Sequence, residues 1–331
     1  MEPILSVKDL SVSFNAFAGK VHAVRDVNFD LYKGETLAIV GESGSGKSVT
    51  TKAILGILAK NGHIDSGTIM YQGQDMAKYK EADFYKIRGK RISLVFQDPL
   101  SALNPIMKIG KQITEALILS KAIEKSKAKA RAIELMEAVG IPNAAERYDA
   151  YPFQFSGGMR QRIVIAIALA SNPEILICDE PTTALDVTIQ AQVLETMKEL
   201  REKFGSAMIM ITHDLGIIAE VCDEVSVVYA GQIVEHGTLE DVFERTLHPY
   251  TEGLFGSLPN IEERRHRLQP IPGLMPDPTD LPKGCCFAPR CKYCTEACTK
   301  ARPEMKWVSD THYVRCSRYD EPGFKIERSV Q

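Results

Sequence analysis

The sequence predicts an α/β fold: a mostly parallel sheet with helices on both sides and an inserted helical block. Three short apolar runs, at 36–40, 174–178 and 207–211, are typical of buried strands. Segments with helical periodicity alternate with them, and the longest covers 187–204. A polar-faced helical pattern interrupts this alternation, so we expect residues 98–165 to form a helical insertion into the sheet.

The other elements follow from the same two periodicities, two residues for strands and about 3.6 for helices. In chain order we expect strands over 4–40 with turns at 19–20 and 33–34, a helix over 47–58, strands over 69–73 and 91–96, helices over 110–140, a loop leading into a helix over 155–170, a helix over 215–221, and a hairpin over 225–235 that turns at Ala230-Gly231.

Residues 41–48, Gly-Glu-Ser-Gly-Ser-Gly-Lys-Ser, match the G-x-x-x-x-G-K-[ST] loop that holds the phosphates of a nucleoside triphosphate. A predicted strand precedes this loop and a predicted helix follows it, which directs backbone N–H groups and the helix dipole at one point. We expect Lys47 to reach the β- and γ-phosphates and Ser48 to ligate Mg²⁺. The predicted nucleotide contacts of this segment are Gly41, Ser43, Gly44, Gly46, Lys47, Ser48 and Val49.

Two carboxylates end the apolar strand at 174–178. Asp179 is predicted to hold Mg²⁺, because a metal-binding Asp belongs at the end of a buried strand beside a phosphate loop. Glu180 points the other way along the pleat, so we expect it to orient or deprotonate the water that attacks the γ-phosphate. A solvated acidic pair at a strand end is the alternative.

Two further polar residues follow predicted strands. Gln97 can touch both the metal and the attacking water, and a simple turn residue is the alternative. His213 follows an apolar strand and could hydrogen-bond the γ-phosphate, whereas a histidine at a strand end is otherwise more often structural.

A second glycine-rich loop precedes a second helix at Ser156-Gly157-Gly158, and its hydroxyl and amides can also face phosphate. One triphosphate cannot easily use both loops of one chain, since each loop begins its own helix. We therefore expect a head-to-tail dimer in which each nucleotide lies between one chain's phosphate loop and the other chain's second loop.

Composition narrows the class of protein. The 331 residues carry a net charge of −3, which does not favour nucleic acid as a partner, and 44% are hydrophobic, as in ordinary globular proteins. No run approaches the roughly 18 apolar residues of a membrane span, and the N-terminus does not resemble a signal peptide. We expect a cytoplasmic protein, or one held on a membrane by other proteins.

The tail has a different composition. Prolines interrupt regular structure beyond residue 255, so we expect an ATPase-type domain over 1–255, a proline-rich linker over 256–283 and a cysteine-rich lobe and tail over 284–331. Cys178 and Cys222 lie in apolar contexts typical of buried thiols. The other six cysteines suggest a metal more than disulfides: Cys285, Cys286, Cys291, Cys294, Cys298 and Cys316.

The order of these motifs resembles the nucleotide-binding subunit of an ABC transporter over roughly residues 4–255. The matching motifs are 41–48, Gln97, Ser156–Gln161, Asp179-Glu180, Ala184-Leu185-Asp186 and His213. The resemblance implies an ABC-type P-loop ATPase domain with a RecA-like sheet, an antiparallel β subdomain and an inserted helical subdomain.

The resemblance also implies roles for individual residues. Ser48, Gln97 and Asp179 would form an Mg²⁺ site, and Glu180, His213, Gln97 and Lys47 would be catalytic. Asp186 and Phe14 would contact the nucleotide, with Phe14 stacked on adenine. A core phenylalanine is the alternative for Phe14. Phe155 and Met159 depart from the usual Leu-Ser-Gly-Gly-Gln.

Further motifs resemble the D-type ATPase subunit of the oligopeptide/dipeptide/nickel importer subfamily. They are 40–48, 95–99, 103–105, 179–186, 248–251 and the tail segment 284–291. The resemblance implies a 4Fe–4S cluster on Cys285, Cys291, Cys298 and Cys316. Four cysteines also suit zinc, and Cys286 and Cys294, which depart from the subfamily pattern, leave another ligand set open.

This resemblance implies an ATP-hydrolysing subunit that powers the uptake of short peptides. Its partners would be a homologous ATPase subunit, two transmembrane permease subunits that dock on residues 98–106, and an extracytoplasmic substrate-binding protein. It would be peripheral, held by the permeases on the cytoplasmic face of the cell membrane. Import of nickel or another small solute is an alternative, and so is an ABC-type ATPase whose cysteine-rich tail senses redox state or metal.

Overall fold

The structure is a computed structural model that describes residues 2–17, 19–182, 185, 187–257 and 271–326. The chain divides into two compact units. We call the first the carboxylate unit, which consists of Met1–Ile4, Leu31–Leu37 and Lys78–Thr212. The second is the phosphate-loop unit, which consists of Leu5–Asp30, Ala38–Ala77 and His213–Gln331.

Strands and helices alternate along most of the chain. The strands are β1 (Leu5–Ala16), β2 (Gly19–Leu31), β3 (Thr36–Val40), β4 (Gly62–Tyr71), β5 (Gln74–Asp75), β6 (Ile92–Val95), β7 (Ile175–Asp179), β8 (Ala207–Thr212), β9 (Glu224–Tyr229), β10 (Gln232–Thr238), β11 (Lys306–Trp307) and β12 (Tyr313–Val314). The helices are α1 (Lys47–Ile54), α2 (Glu81–Ile87), α3 (Pro99–Ala102), α4 (Ile109–Leu119), α5 (Ala128–Ala138), α6 (Ala144–Arg147), α7 (Gly157–Leu169), α8 (Val187–Phe204), α9 (Leu215–Val221), α10 (Leu239–Glu244), α11 (Pro249–Gly256) and α12 (Glu296–Lys300).

The carboxylate unit contains the parallel strands. β6, β7 and β8 pair in parallel, with Ile92 beside Ile175 and Ile175 beside Ala207. Side chains on both faces of β7 and β8 are buried, as expected for parallel strands that helices cover on both sides. Helices α4, α5 and α7 pack on one another in the predicted insertion, and their apolar faces bury Ile113, Leu135 and other side chains.

The phosphate-loop unit contains an antiparallel sheet in the order β2-β1-β4-β5. β1 runs antiparallel to β4 from the Leu5–Tyr71 pair to the Phe14–Gly62 pair. Leu5, Val7, Leu10 and Val12 of β1 are fully buried. This sheet agrees with the antiparallel β subdomain that the family resemblance implies.

A second antiparallel group of strands in the same unit ties the tail to the rest of the unit. β9 and β10 form the predicted hairpin, and β12 adds to β10 through the Glu235–Val314 and His236–Tyr313 pairs. The buried carboxylate of Glu235 accepts hydrogen bonds from the backbone N–H groups of Leu247 and His248, at 2.6 and 2.9 Å, and lies 3.0 Å from Nε2 of His312. The tail is therefore held by a buried polar network as well as by strand pairing.

Two elements differ from their predicted bounds by several residues. Helix α1 ends at Ile54 instead of residue 58, because Gly56 adopts φ +62° two residues later and ends the helix as a left-handed glycine. β4 begins at Gly62 instead of residue 69. Its polar first half pairs with β1, a long-range contact that local periodicity does not reveal.

Two predictions from the sequence concern membrane spans and the proline-rich linker. In the ranges that the structure describes, no helix is both long enough and apolar enough to cross a bilayer. Residues 258–270 of the predicted linker lie outside the described residues. The division at residues 255 and 283 stays a prediction.

Candidate functional site

The phosphate loop, residues 41–46, requires glycine at two positions for steric reasons. A Cβ on Gly41 would lie 2.1 Å from the carbonyl oxygen of Val228, and a Cβ on Gly46 would lie 2.3 Å from that of Ala23. Both glycines have positive φ angles, +152° and +105°, which side-chain-bearing residues rarely adopt. The loop is thus packed directly on neighbouring backbone.

Helix α1 begins directly after this loop. Its N-cap residue is Gly46, no side chain caps its first turn, and that turn carries no acidic residue. The loop is anchored by a 2.8 Å hydrogen bond from the Gly231 N–H to the Ser45 carbonyl. Ser45 Oγ is buried and has no hydrogen-bond partner within the described part of the chain. An N-terminus of this kind, with an unsatisfied hydroxyl beside it, suits an anionic ligand.

Lys47 is held across the loop. Its ammonium donates hydrogen bonds to the carbonyl oxygens of Gly41 and Glu42, at 2.8 and 2.9 Å, and the residue is only 5% exposed. Of the other predicted contacts, Ser43 and Gly44 are exposed, whereas Ser48 and Val49 are half-buried. The loop therefore presents exposed backbone beside a positioned cation, which is the chemistry of a phosphate site.

Phe14 and His213 belong to the same unit. Phe14 is half-buried, and its ring covers Gly62, where a Cβ would lie 2.4 Å from a ring atom. His213 is exposed and directly follows β8. Their proposed contacts with adenine and with the γ-phosphate stay predictions.

In the carboxylate unit the structure brings two predicted residues together. Gln97 Nε2 donates a 2.9 Å hydrogen bond to Oε2 of Glu180. Glu180 adopts φ +47°, unusual for a residue other than glycine, and its N–H donates to the Ile211 carbonyl at 2.9 Å. Such backbone strain is common where a side chain must be aimed. Asp179, the last residue of β7, is half-buried.

The second glycine-rich loop begins helix α7 in the same unit. Ser156 is the N-cap, and its hydroxyl accepts a 3.4 Å hydrogen bond from the Met159 N–H. A Cβ on Gly158 would lie 2.2 Å from Cγ2 of Ile189, whereas a Cβ on Gly157 would meet no atom within 4 Å. Packing thus explains Gly158, while Gly157 faces open space. The predicted contact residue Asp186 lies outside the described residues.

The cysteine-rich lobe contains the four predicted cluster ligands. Burial is the largest cause of a raised pKa for three of the thiols, with values of about 12 for Cys285 and about 11 for Cys291 and Cys316. Neighbouring cysteines raise these pKa values further, so the thiols lie within electrostatic range of one another. Cys298 is buried, and its carbonyl accepts a 2.8 Å hydrogen bond from the Cys285 N–H.

These thiols do not form a metal site as placed. Over the described ranges, no group of three or more His, Cys, Asp or Glu side chains could hold a metal ion. The predicted metal-binding lobe, with 4Fe–4S or zinc, is therefore not supported. The two additional cysteines differ from each other: Cys294 is exposed, and Cys286 is buried with its sulfur 3.1 Å from the guanidinium of Arg25.

Sequence reasoning missed two residues that contact the phosphate loop. Arg290 forms a two-pronged ion pair with the Glu42 carboxylate, with both N···O distances at 2.9 Å. The Tyr250 hydroxyl accepts a 2.8 Å hydrogen bond from the Glu42 N–H. Both residues lie in segments with recognised motifs, 284–291 and 248–251, but local pattern does not reveal a partner more than 200 positions away.

Comparison with known proteins identifies the families that this sequence matches. Residues 24–183 match the family model described as ABC transporter, and residues 234–298 match that of the oligopeptide/dipeptide transporter, C-terminal region. The chain is 54% identical to the oligopeptide transport ATP-binding protein OppD of Bacillus subtilis (98% of this chain, 91% of that protein). It is 51% identical to the dipeptide transport ATP-binding protein DppD of Lactococcus lactis (99% and 94%).

Solved structures support the fold. A dimeric post-hydrolysis structure of the ATP-binding cassette MJ0796, bound to ADP and Pi, has a TM-score of 0.64 at 26% identity and covers 71% of this chain and 98% of that one. CbiO1 of Clostridium perfringens gives 0.63 at 27% identity, covering 74% and 93%. The ABC-type α/β fold that the sequence predicts is therefore confirmed. The chain belongs to the ABC transporter ATPases, in the family of oligopeptide and dipeptide transport ATP-binding subunits.

Proposed function

We propose that this chain is the ATP-hydrolysing subunit of an importer that takes up short peptides through partner permeases. The observation that carries the proposal is the Gln97–Glu180 hydrogen bond at the end of β7. This bond holds the Glu180 carboxylate in a defined orientation, in which it can orient and deprotonate the attacking water. The peptide class follows from relatives that are named for oligopeptide and dipeptide transport.

The predicted site residues have distinct roles in the proposed reaction. The phosphate loop binds the β- and γ-phosphates through backbone N–H groups and Lys47. Mg²⁺, held by Ser48, Gln97 and Asp179, would neutralise phosphate charge. Glu180 orients the attacking water and accepts its proton. The products are ADP and inorganic phosphate.

A second ATPase subunit completes each nucleotide site in this proposal. The nucleotide is contacted by the partner's counterparts of Ser156, Gly157, Gly158 and Asp186. His213 hydrogen-bonds the γ-phosphate. The open space around Gly157 supports a loop that faces another molecule. A homologous partner subunit in a head-to-tail heterodimer is proposed over a homodimer, and ATP binding closes the pair.

Permeases complete the transporter and hold this subunit on the cytoplasmic face of the membrane. Residues 98–106 are the proposed docking segment. Two large apolar side chains there are exposed, Leu100 at 62% and Ile106 at 85%, which supports contact with another protein. An extracytoplasmic binding protein delivers the substrate to the assembled complex.

The transport function is tested on the complex reconstituted in liposomes with its permeases and binding protein. We expect a labelled short peptide to accumulate only with MgATP and to stimulate ATP hydrolysis. Nickel ions in place of peptide test the alternative solute. Nickel-stimulated hydrolysis without any response to peptide would replace the peptide assignment.

An iron–sulfur cluster on Cys285, Cys291, Cys298 and Cys316 is kept as a separate proposal. Its support is the donor chemistry, since four cysteine thiolates can ligate one such cluster. A brown anaerobic preparation with broad visible absorbance would support it. A colourless preparation with stoichiometric zinc would assign the thiols to zinc instead.

A further inference from the structure

The tail contacts the phosphate loop through a partly buried ion pair. Arg290 and Glu42 are 248 positions apart, and both guanidinium NH₂ groups lie 2.9 Å from a carboxylate oxygen. The Arg290 side chain is only 6% exposed, against 31% for Glu42. Charge-assisted, two-pronged pairs of this kind are among the stronger hydrogen-bonded contacts in proteins.

Arg290 is fixed independently of Glu42. Its Nε donates to the Pro272 carbonyl at 2.9 Å, and its terminal nitrogens lie 3.3 Å from the Tyr229 hydroxyl and 3.4 Å from the Ile271 carbonyl. An arginine guanidinium stays protonated in proteins, so the charge of Arg290 does not depend on these contacts. The guanidinium therefore remains charged and directed at the loop.

Glu42 is held at three points. Its N–H is bound by Tyr250, its carbonyl by Lys47 and its carboxylate by Arg290. The same tail segment also touches the exposed part of the loop, since a Cβ on Gly44 would lie 3.5 Å from the Met275 methyl group. The conformation of the loop thus depends on residues of the C-terminal region.

Glu42 is the one carboxylate within residues 41–48. A negative charge in a loop that binds a triphosphate opposes that binding unless a cation neutralises it. Arg290 supplies this cation, and the partial burial of the pair reduces the screening of the interaction by solvent.

We propose that Arg290 is a positioning residue of the nucleotide site, which neutralises Glu42 and so sets the affinity of the phosphate loop for MgATP. This inference rests on the proposed nucleotide-binding function of the loop. It gives the C-terminal region a direct influence on nucleotide affinity.

The test measures the dissociation constant for MgATP on the full-length chain, and KM and kcat in the assembled transporter. We expect Arg290→Gln to weaken MgATP binding and raise KM by about ten-fold, because the Glu42 carboxylate is then no longer neutralised and repels the triphosphate. We expect kcat to change much less, because Arg290 does not touch the reacting atoms.

Two further variants distinguish neutralisation of the Glu42 charge from simple tethering, in which the ion pair only holds the loop in place. Glu42→Gln removes the charge that Arg290 offsets, so its KM should be no higher than that of the wild type. The double variant Glu42→Gln/Arg290→Gln should recover most of the affinity lost in Arg290→Gln. A tether alone would instead make Glu42→Gln and Arg290→Gln equally weak binders.

Lys292→Gln is the matched control. It breaks the 2.9 Å ion pair of the tail with Glu252, which lies on α11 instead of the phosphate loop, and should leave KM unchanged. An unchanged KM in Arg290→Gln, or a raised KM in Glu42→Gln, overturns the inference. The second result decides even if Arg290→Gln does not fold. Failure of the wild-type chain to bind MgATP would overturn the proposed function instead.

Discussion

Gln97 Nε2 lies 2.9 Å from Oε2 of Glu180. Gln97 is the second residue after β6, and Glu180 directly follows β7. The two strands are parallel neighbours, so both side chains emerge at the same edge of the sheet. Glu180 is also fixed from the other side, where its backbone N–H binds the Ile211 carbonyl. The carboxylate is therefore oriented before any substrate arrives.

The first prediction concerns Glu180 as the catalytic base. Glu180→Gln keeps the size of the side chain but cannot accept a proton from water. We expect kcat for ATP hydrolysis in the assembled transporter to fall by about 100-fold or more, with MgATP binding retained. Steady-state hydrolysis and direct nucleotide binding measure the two effects.

Glu174→Gln is the control for this variant. Glu174 directly precedes β7 and forms a surface ion pair with Arg91, so its loss should have little effect on stability or hydrolysis. Normal turnover in Glu180→Gln would remove Glu180 from its proposed role.

Gln97 allows a second prediction. If Gln97 acts by orienting Glu180, Gln97→Ala should lower kcat by about ten-fold and leave the Mg²⁺ dependence of ATP binding unchanged. If it also ligates the metal, as the family resemblance implies, the variant should require more Mg²⁺ for half-maximal binding. A Mg²⁺ titration at fixed ATP distinguishes these outcomes, and no change in either quantity would contradict both roles.

Local periodicity was sufficient for the elements that form the core of the carboxylate unit. Helix α8 spans the predicted 187–204, and β8 is one residue longer than expected. Helix α8 is long and periodic, and β8 is a short apolar run that is fully buried, so the local hydrophobic pattern predicts both elements. The Gln97–Glu180 contact was also foreseeable, because residues that follow parallel strands meet at one sheet edge.

Long-range contacts were not foreseeable in the same way. The polar first half of β4 becomes a strand because β1 supplies its hydrogen-bonding partner. The Arg290–Glu42 pair likewise depends on how the tail folds against the phosphate loop. In each case the determining neighbour is distant in sequence, and no local pattern encodes it.

The third prediction distinguishes the two glycines at the start of α7. A Cβ on Gly158 would lie 2.2 Å from Ile189, so Gly158→Ala should lower the free energy of unfolding by about 1–3 kcal/mol. Gly157→Ala adds the same methyl group in open space and should change stability by less than about 0.5 kcal/mol. Denaturant unfolding of the two variants tests this. Equal losses would show that α7 packs differently against α8.

The last prediction concerns pH and the buried residue His248. His248 is the N-cap of α11, and its Nδ1 accepts a 3.0 Å hydrogen bond from the Tyr250 N–H. Complete burial lowers its pKa to about 3, although a hydrogen bond involving the Arg315 backbone opposes the shift. The folded protein therefore keeps this imidazole neutral, whereas the unfolded chain protonates it near pH 6.5.

Because the unfolded state binds the extra proton, His248 contributes stability above pH 6.5 that is lost as pH falls toward 3. Between pH 7 and pH 5 the loss should be about 2 kcal/mol for this one residue.

His248→Asn keeps an oxygen that can cap α11 but removes the titrating group. We expect the variant to be less stable at pH 7, since it loses the ring packed near Phe287, yet to lose about 2 kcal/mol less than the wild type on acidification. His236, whose pKa is also lowered to about 4, is present in both proteins and cancels in the comparison. Denaturant unfolding at the two pH values measures the difference, and parallel losses would mean that His248 takes up a proton in the folded chain as readily as in the unfolded chain.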